Sequence, residues 1–209
     1  MLDNISLLSL VGAYALGHVF GSVPSGLWLV QALHGIDIRE YGSKNIGTTN
    51  VYRTVGAKTA VLVLLADMLK GIFAIMALGC WVQNPVLNVI CGLGAFMGHS
   101  YSLFLGFKGG KGVATGLGLL VYLMPAVSAM AFGVWLVLVL LTRYVSLGSI
   151  VAALLTPVFA WYLAMPLPYL IFAAICGLFV VIRHKDNINR LLAGTESKIK
   201  QGNPKDIKK

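Results

Sequence analysis

Three stretches of this chain combine hydroxyl, amide, glycine and basic residues densely enough to suggest chemistry on a polar ligand. The first reads Asp37-Ile-Arg-Glu-Tyr-Gly-Ser-Lys-Asn-Ile-Gly-Thr-Thr-Asn-Val-Tyr-Arg-Thr-Val-Gly-Ala-Lys58. Ser43, Asn45, Thr48, Thr49 and Asn50 offer uncharged donors and acceptors suited to a polyol or a phosphate. Arg53 adds a planar fork that matches phosphate oxygens. Gly42, Gly47 and Gly56 permit tight turns. A plain solvated connector also uses Asn and Gly for turns, but this many polar groups beside long apolar runs argues for a ligand or a cavity.

The second stretch is Phe107-Lys-Gly-Gly-Lys-Gly-Val-Ala-Thr-Gly-Leu-Gly118. A glycine-rich turn opening into a helix exposes unpaired N–H groups at the positive end of the helix dipole, which favours an anion. Gly109, Gly110 and Gly112 would form that turn, and Lys108 and Lys111 would strengthen it. It is not a Walker A loop, because Gly112 rather than Ser or Thr follows Lys111. The third stretch is Arg183-His-Lys-Asp-Asn-Ile-Asn-Arg-Leu-Leu-Ala-Gly-Thr-Glu196, in which His184 and Asn187 would share one helical face. A His-x4-Asp acyltransfer pattern is absent: the fifth residues after the four histidines are Val23, Arg39, Phe104 and Asn189. Cys80, Cys91 and Cys176 form no CxxC pair, so no disulfide framework or zinc site is expected. Neither a metal nor a cofactor is expected.

The elements that must position these stretches are membrane helices. Of 209 residues, 58% are hydrophobic and 11% charged, against about 25% charged in a soluble domain. Apolar runs lie near 7–32, 59–81, 86–105, 126–141, 147–164 and 168–182, with a shorter one over 113–124 that Pro125 ends. The start, Met1-Leu-Asp-Asn, lacks the basic region of a signal peptide, so the first run is expected to be retained. One membrane-embedded domain over 1–209 is expected, with a basic cytoplasmic tail over 183–209.

Charge asymmetry sets the expected topology. The sixteen Lys and Arg cluster at Arg39, Lys44, Arg53 and Lys58, at Lys70, at Lys108 and Lys111, at Arg143, and in eight positions from Arg183 to Lys209. The connections at 83–85 and 165–167 carry none. Basic loops lie on the cytoplasmic side, so the short run must cross. The fold class predicted is an all-α integral membrane protein of seven transmembrane helices, N-terminus out and C-terminus cytoplasmic, with a short fourth helix. All three polar stretches then fall at the cytoplasmic face. Interfacial Trp81, Tyr162 and Tyr169 on one side and Tyr101 and Tyr144 on the other suit aromatic belts; no nucleic-acid partner is expected.

Inside the bilayer, Asp67 and Lys70 stand at i, i+3 on the second long helix, where ionisable groups are costly unless paired. They are expected to form an ion pair that braces the site. Pro24 should kink the first helix and free a carbonyl. His18 and His99 read as packing or hydrogen-bonding residues, and Ser146 and Ser149 as helix-end hydroxyls that could face the cavity.

At these residues the chain resembles the bacterial acyl-phosphate:glycerol-3-phosphate acyltransferases, the PlsY family. The resemblance runs through SGLWLVQALHGIDIREYGSKNIGTTNVYRTVG, DMLKG, GHSYSLFLGFKGGKGVATGLG and RHKDNINRLLAGTE, nearly the whole chain. It implies seven helices in a bacterial inner membrane with a cytoplasmic active site. It also implies acyl transfer from acyl phosphate to the 1-hydroxyl of glycerol 3-phosphate, with a soluble acyl-phosphate-producing enzyme as functional partner. The site positions it implies are Ser43, Asn45, Thr49, Asn50, Arg53, Gly109, Gly110, Lys111, Gly112, Ser149, His184 and Asn187, with Glu196 as an acidic structural residue. Among these, Ser43, Arg53, Lys111, His184 and Asn187 are expected to act in catalysis. An acyl phosphate carries its own good leaving group, so positioning and charge stabilisation are expected to suffice, without an acyl-enzyme. The alternative is a transporter or flippase of a phosphorylated metabolite or lipid, which one-sided motifs and the lack of an internal repeat disfavour.

Overall fold

The computed structural model describes residues 5–81, 84–200 and 202, and the described residues are helices and loops without strands. The first apolar run gives α1 (Leu7–Ser22) and α2 (Ser25–His34). The polar loop after it contains a short helix, α3 (Thr48–Val55). Then come α4 (Ala57–Gly79), α5 (Pro85–Ser100), α6 (Val113–Leu123), α7 (Pro125–Thr142), α8 (Val145–Tyr162), α9 (Leu167–Arg183) and α10 (Lys185–Leu192). Every long helix except α5 carries large apolar residues on an exposed face, for example Leu65 and Phe73 on α4 or Leu140 and Leu141 on α7. Such faces suit hydrocarbon rather than water.

Length and composition qualify five segments to cross a membrane, and α9 with α10, bent by 58°, makes a sixth. The helix α6 has 11 residues, about 16 Å, so length alone does not make it a seventh span. Five or six crossings follow from helix length, where charge asymmetry leads to seven. The basic residues Lys205, Lys208 and Lys209 and the connection at Val82 and Gln83 lie outside the described residues.

Pro24 interrupts the first run as expected, since it has no N–H to continue the ladder. The Val23 carbonyl at the break accepts a hydrogen bond from Lys70 Nζ at 2.8 Å. Beneath the break, α1 and α5 pack backbone to backbone. Gly17 and Gly21 on α1 and Gly94 and Gly98 on α5 are four residues apart, and a Cβ on any of them would overlap main-chain atoms of the other helix. In a bilayer, where lipid tails are as apolar as leucine, such close approach supplies the packing that holds helices together. No residue of α5 is exposed, which makes it the central helix, whereas α7 turns much of its surface outward. The main core gathers Ile75, Phe96, Leu119 and Phe172 from α4, α5, α6 and α9.

Replacing Gly21 or Gly94 by Leu should destabilise the protein by about 3 kcal/mol or more through overpacking. Gly133, with open space around its Cα, serves as the control and should tolerate Leu within about 0.5 kcal/mol. Thermal unfolding in detergent distinguishes the two; equal midpoints for Gly21→Leu and Gly133→Leu would contradict the close-packed seam.

Candidate active site

The first polar loop folds on its own small core. Leu27 and Val30 of α2, Ile38, Ile46, Val51 and Val55, and Ala60 and Val63 of α4 are buried together. The helix α3 is amphipathic: Val51 and Val55 enter that core, while Thr49 and Arg53, also i, i+4, line a cavity on the opposite side. The hub of the loop is Asn50, 2% exposed. Its Oδ1 accepts the Ser43 N–H at 2.9 Å, and its Nδ2 donates to the carbonyls of Asn45 at 2.8 Å and Tyr41 at 3.0 Å. Both ends of the amide are thus engaged within the loop, so Asn50 shapes this wall of the cavity. Asn45 holds the Gly47 N–H at 2.8 Å.

The second stretch is anchored from two sides. The Gly110 N–H donates to the His99 carbonyl at 3.1 Å, and Arg183 Nη2 donates to the carbonyls of Gly110 at 3.0 Å and Gly109 at 3.3 Å. Gly112 takes the left-handed conformation at φ 84° and starts α6, whose first residues, Val113 and Ala114, line the cavity. Gly109 and Gly110 do not line it; they press on His99, and no side chain would fit on either. Lys108 is exposed and outside the cavity, so it does not strengthen the loop as expected.

The third stretch does not continue α9 straight. The chain bends by 58° at His184, yet His184 and Asn187 both face the cavity. His184 Nδ1 lies 2.7 Å from the Val180 carbonyl. A carbonyl only accepts, so Nδ1 carries the proton and the Nε2 lone pair remains for the cavity. Burial and the Lys111 charge push this imidazole down to about 4, so it is neutral at physiological pH.

Asn187 relays between two charges: its Oδ1 accepts from Lys111 Nζ, and its Nδ2 donates to Glu196 Oε1 at 2.7 Å. Glu196 also accepts from Ser146 Oγ at 2.7 Å and Arg190 Nε at 2.7 Å. Burial would push its carboxyl up, but these three hydrogen bonds and the Arg190 charge hold it below the ordinary range. Burial, with the Arg190 charge, brings the Lys111 ammonium down to about 8. Past Glu196 the chain crosses the mouth of the site. Ser197 O accepts from Arg53 Nη2 at 2.6 Å, the Ile199 N–H donates to the Arg143 carbonyl at 2.7 Å, and the Gly202 N–H to the Tyr52 carbonyl at 3.0 Å.

The three stretches meet around one cavity of about 280 Å³. Ser43, Asn45, Thr49, Asn50, Arg53, Lys111, Gly112, Ser149, His184 and Asn187 line its polar end. Burial lowers the Arg53 guanidinium below its ordinary range. Arg53 Nε and Thr48 Oγ1 are buried without a partner among the described residues, as donors reserved for a ligand would be. The cavity continues between α6, α7, α8 and α9 past Leu120, Phe132, Trp135, Ala153 and Phe172, an apolar extension into membrane depth. Sequence reasoning missed Arg190 and His99 as lining residues; for His99 only its place just before the glycine loop hinted at this. Among the described residues no cluster could hold a metal ion.

A family model described as glycerol-3-phosphate acyltransferase matches residues 10–194. Curated proteins named glycerol-3-phosphate acyltransferase are similar throughout: one from Synechococcus sp. (strain JA-3-3Ab) is 48% identical over 196 residues, 94% of each chain. Another, from Fusobacterium nucleatum, is 44% identical, covering 88% of this chain and 95% of its own. Two solved structures of PlsY, an integral membrane glycerol 3-phosphate acyltransferase, share the fold. Its glycerol 3-phosphate form has a TM-score of 0.79 at 40% identity, covering 93% of this chain and 95% of its own. Its lysophosphatidic acid form has a TM-score of 0.81 at 36% identity, covering 91% and 95%.

The lowered Lys111 makes anion binding depend on pH. Its charge is present below about 8 and is lost as pH rises through that value, whereas a phosphate monoester with a second pKa of about 6 stays dianionic. Affinity for glycerol 3-phosphate should therefore fall between about pH 7.5 and 9.5, and Lys111→Arg should flatten the fall because a guanidinium stays charged. Calorimetric titration checks this; a wild-type affinity constant over the interval would contradict it.

Proposed function

The chain belongs to the glycerol-3-phosphate acyltransferase (PlsY) family, and from that premise we propose that it transfers a fatty acyl group from acyl phosphate to the 1-hydroxyl of glycerol 3-phosphate. The products are 1-acyl-glycerol 3-phosphate and inorganic phosphate. The observation that carries the reading is the cavity itself, in which a phosphate-suited polar end adjoins an apolar extension into the bilayer. A donor with an anionic head and a long chain needs both halves.

In the proposed reaction the glycerol oxygen attacks the acyl carbonyl, forming the ester bond. The bond from the carbonyl carbon to the phosphate oxygen breaks, and its electron pair leaves with phosphate. The proton from the hydroxyl passes to a substrate phosphate oxygen. Relative basicity favours that acceptor over His184: the imidazole sits at about 4, whereas a phosphate monoester has a second pKa of about 6. His184 Nε2 then serves as a neutral hydrogen-bond acceptor for the neighbouring 2-hydroxyl, which orients the polyol and leaves the proton of the attacking hydroxyl to the phosphate oxygen. Lys111, the α6 N–H groups and Arg53 bind the two phosphates and stabilise the charge that develops on the carbonyl and leaving group. Ser43 and Thr49 orient the polyol, with Asn45 and Ser149 completing the polar wall.

Positive-inside charge supports a site at the cytoplasmic face of a bacterial inner membrane in this proposal, with α6 as a short seventh crossing, N-terminus out and C-terminus in. Acyl phosphate would come from a soluble enzyme that makes it.

Purified protein given palmitoyl phosphate should release phosphate only when glycerol 3-phosphate is present, with stoichiometric lysophosphatidate by mass analysis. Ser43→Ala and Arg53→Ala should abolish turnover, a loss on the order of a hundredfold or more, while remaining folded and extractable. No product from folded wild-type protein would overturn the reading and favour transport of a phosphorylated substrate instead; near-normal turnover in either variant would remove that residue from the mechanism.

A further inference from the structure

Below the glycine loop lies a buried charged group that the reaction outlined above leaves unused. Lys70 Nζ sits 2.7 Å from Asp67 Oδ1, with both side chains under 10% exposed, 2.8 Å from the Val23 carbonyl and 2.9 Å from His99 Nδ1. His99, 3% exposed, touches the loop twice. Its carbonyl takes the Gly110 N–H, and its Nε2 lies so close to Gly110 that a Cβ there would collide with it. The same residue lines the cavity beside Lys111 and Gly112.

These contacts fix the state of the ring. An ammonium nitrogen has protons and no lone pair, so the 2.9 Å contact is a hydrogen bond only if His99 Nδ1 accepts. Asp67 Oδ1 lies farther from Nδ1, at 3.5 Å, beyond the 2.9 Å of the Lys70 contact; the shorter contact decides. The imidazole is then neutral, with its proton on Nε2, the nitrogen nearer the glycine loop. Asp67 and Lys70 are positioning residues: they hold the tautomer that turns a donor toward the loop.

We propose that His99 Nε2–H donates a hydrogen bond to the phosphate group bound at the glycine loop, making His99 a further substrate-binding residue. The inference rests on reading that loop as an anion site. A neutral donor suits the position, because Lys111 and Arg183 already bring two cations to the loop and a third charge would repel them. It also explains why Gly110, outside the cavity lining, cannot carry a side chain: any Cβ would displace the imidazole from beneath the loop.

The test uses the full-length enzyme in detergent with inorganic phosphate as the probe, measured as inhibition of palmitoyl phosphate turnover. His99→Phe should weaken phosphate inhibition and raise KM for palmitoyl phosphate in parallel, each on the order of tenfold, the size of one hydrogen bond to a charged group. KM for glycerol 3-phosphate should stay unchanged. His99→Gln, whose amide N–H reaches a similar point, should recover most of the loss. Equal phosphate inhibition in wild type and His99→Phe would overturn the proposal while leaving the loop as an anion site. Parallel loss of both KM values and of thermal stability in the Phe and Gln variants alike would reduce His99 to a structural role and also overturn it. If phosphate fails to inhibit the wild type, the anion-site reading falls and this one with it. Should His99→Phe not fold, ¹⁵N resonances of His99 in the wild type read the same bond: an Nε2–H signal that shifts on adding phosphate is expected, and an Nδ1–H tautomer or an unmoved signal would overturn it.

Discussion

The Lys70 ammonium is the constraint on which the site depends. A charge at membrane depth is tolerated only if its protons are satisfied internally. Lys70 finds its partners on three separate segments: it is ion-paired with Asp67 on its own helix and donates to the Val23 carbonyl at the break before α2 and to His99 at the end of α5. Satisfying one cation therefore fixes how α1, α4 and α5 sit together. Because His99 also holds Gly110 through its carbonyl, the same charge sets the height of the glycine loop. The Gly17, Gly21, Gly94 and Gly98 seam complements it by letting α1 and α5 approach closely enough for these bonds to form.

A second chain of polar contacts closes the polar end of the site. Lys111, Asn187 and Glu196 form a relay, with Ser146 and Arg190 completing the carboxylate's partners. Residues far apart in the chain, on the glycine loop, α8, α10 and the segment beyond it, are thereby drawn to one wall. The carboxylate offsets part of the surrounding positive charge without neutralising it, so Arg53, Lys111, Arg183 and Arg190 leave the cavity suited to anions. Ser197 O on Arg53 occupies a donor that a phosphate would otherwise use. The apolar extension between α6 and α9 needs no such ties, since hydrocarbon and side chains there are matched in polarity.

Much of this was legible from composition and spacing. Hydropathy placed every long helix within a few residues, because nothing competes with an unbroken apolar run in a bilayer, and Gly112 and Pro125 bracketed α6. Pro24 and the Asp67–Lys70 spacing signalled the helix break and the ion pair, both consequences of local rules. What remained hidden was non-local. Asn50 looks like a ligand residue until its amide is seen to hold Ser43, Tyr41 and Asn45. Lys108 and Lys111 look equivalent by spacing, but only Lys111 lines the cavity. His99 read as a packing residue because its partners, Lys70 and Gly110, come from different segments. The 58° bend at His184 could not be read from an i, i+3 spacing that assumes a straight helix.

The central claim is that one cavity holds an anionic head at the glycine loop and an acyl chain between α6 and α9. A crystal structure with a non-hydrolysable acyl phosphonate tests it most directly. The account predicts the phosphonate oxygens against Lys111 and the first N–H groups of α6, with the chain running past Leu120, Phe132 and Phe172. A phosphonate bound away from Lys111, or a chain lying outside the helices along the lipid-facing surface, would contradict it.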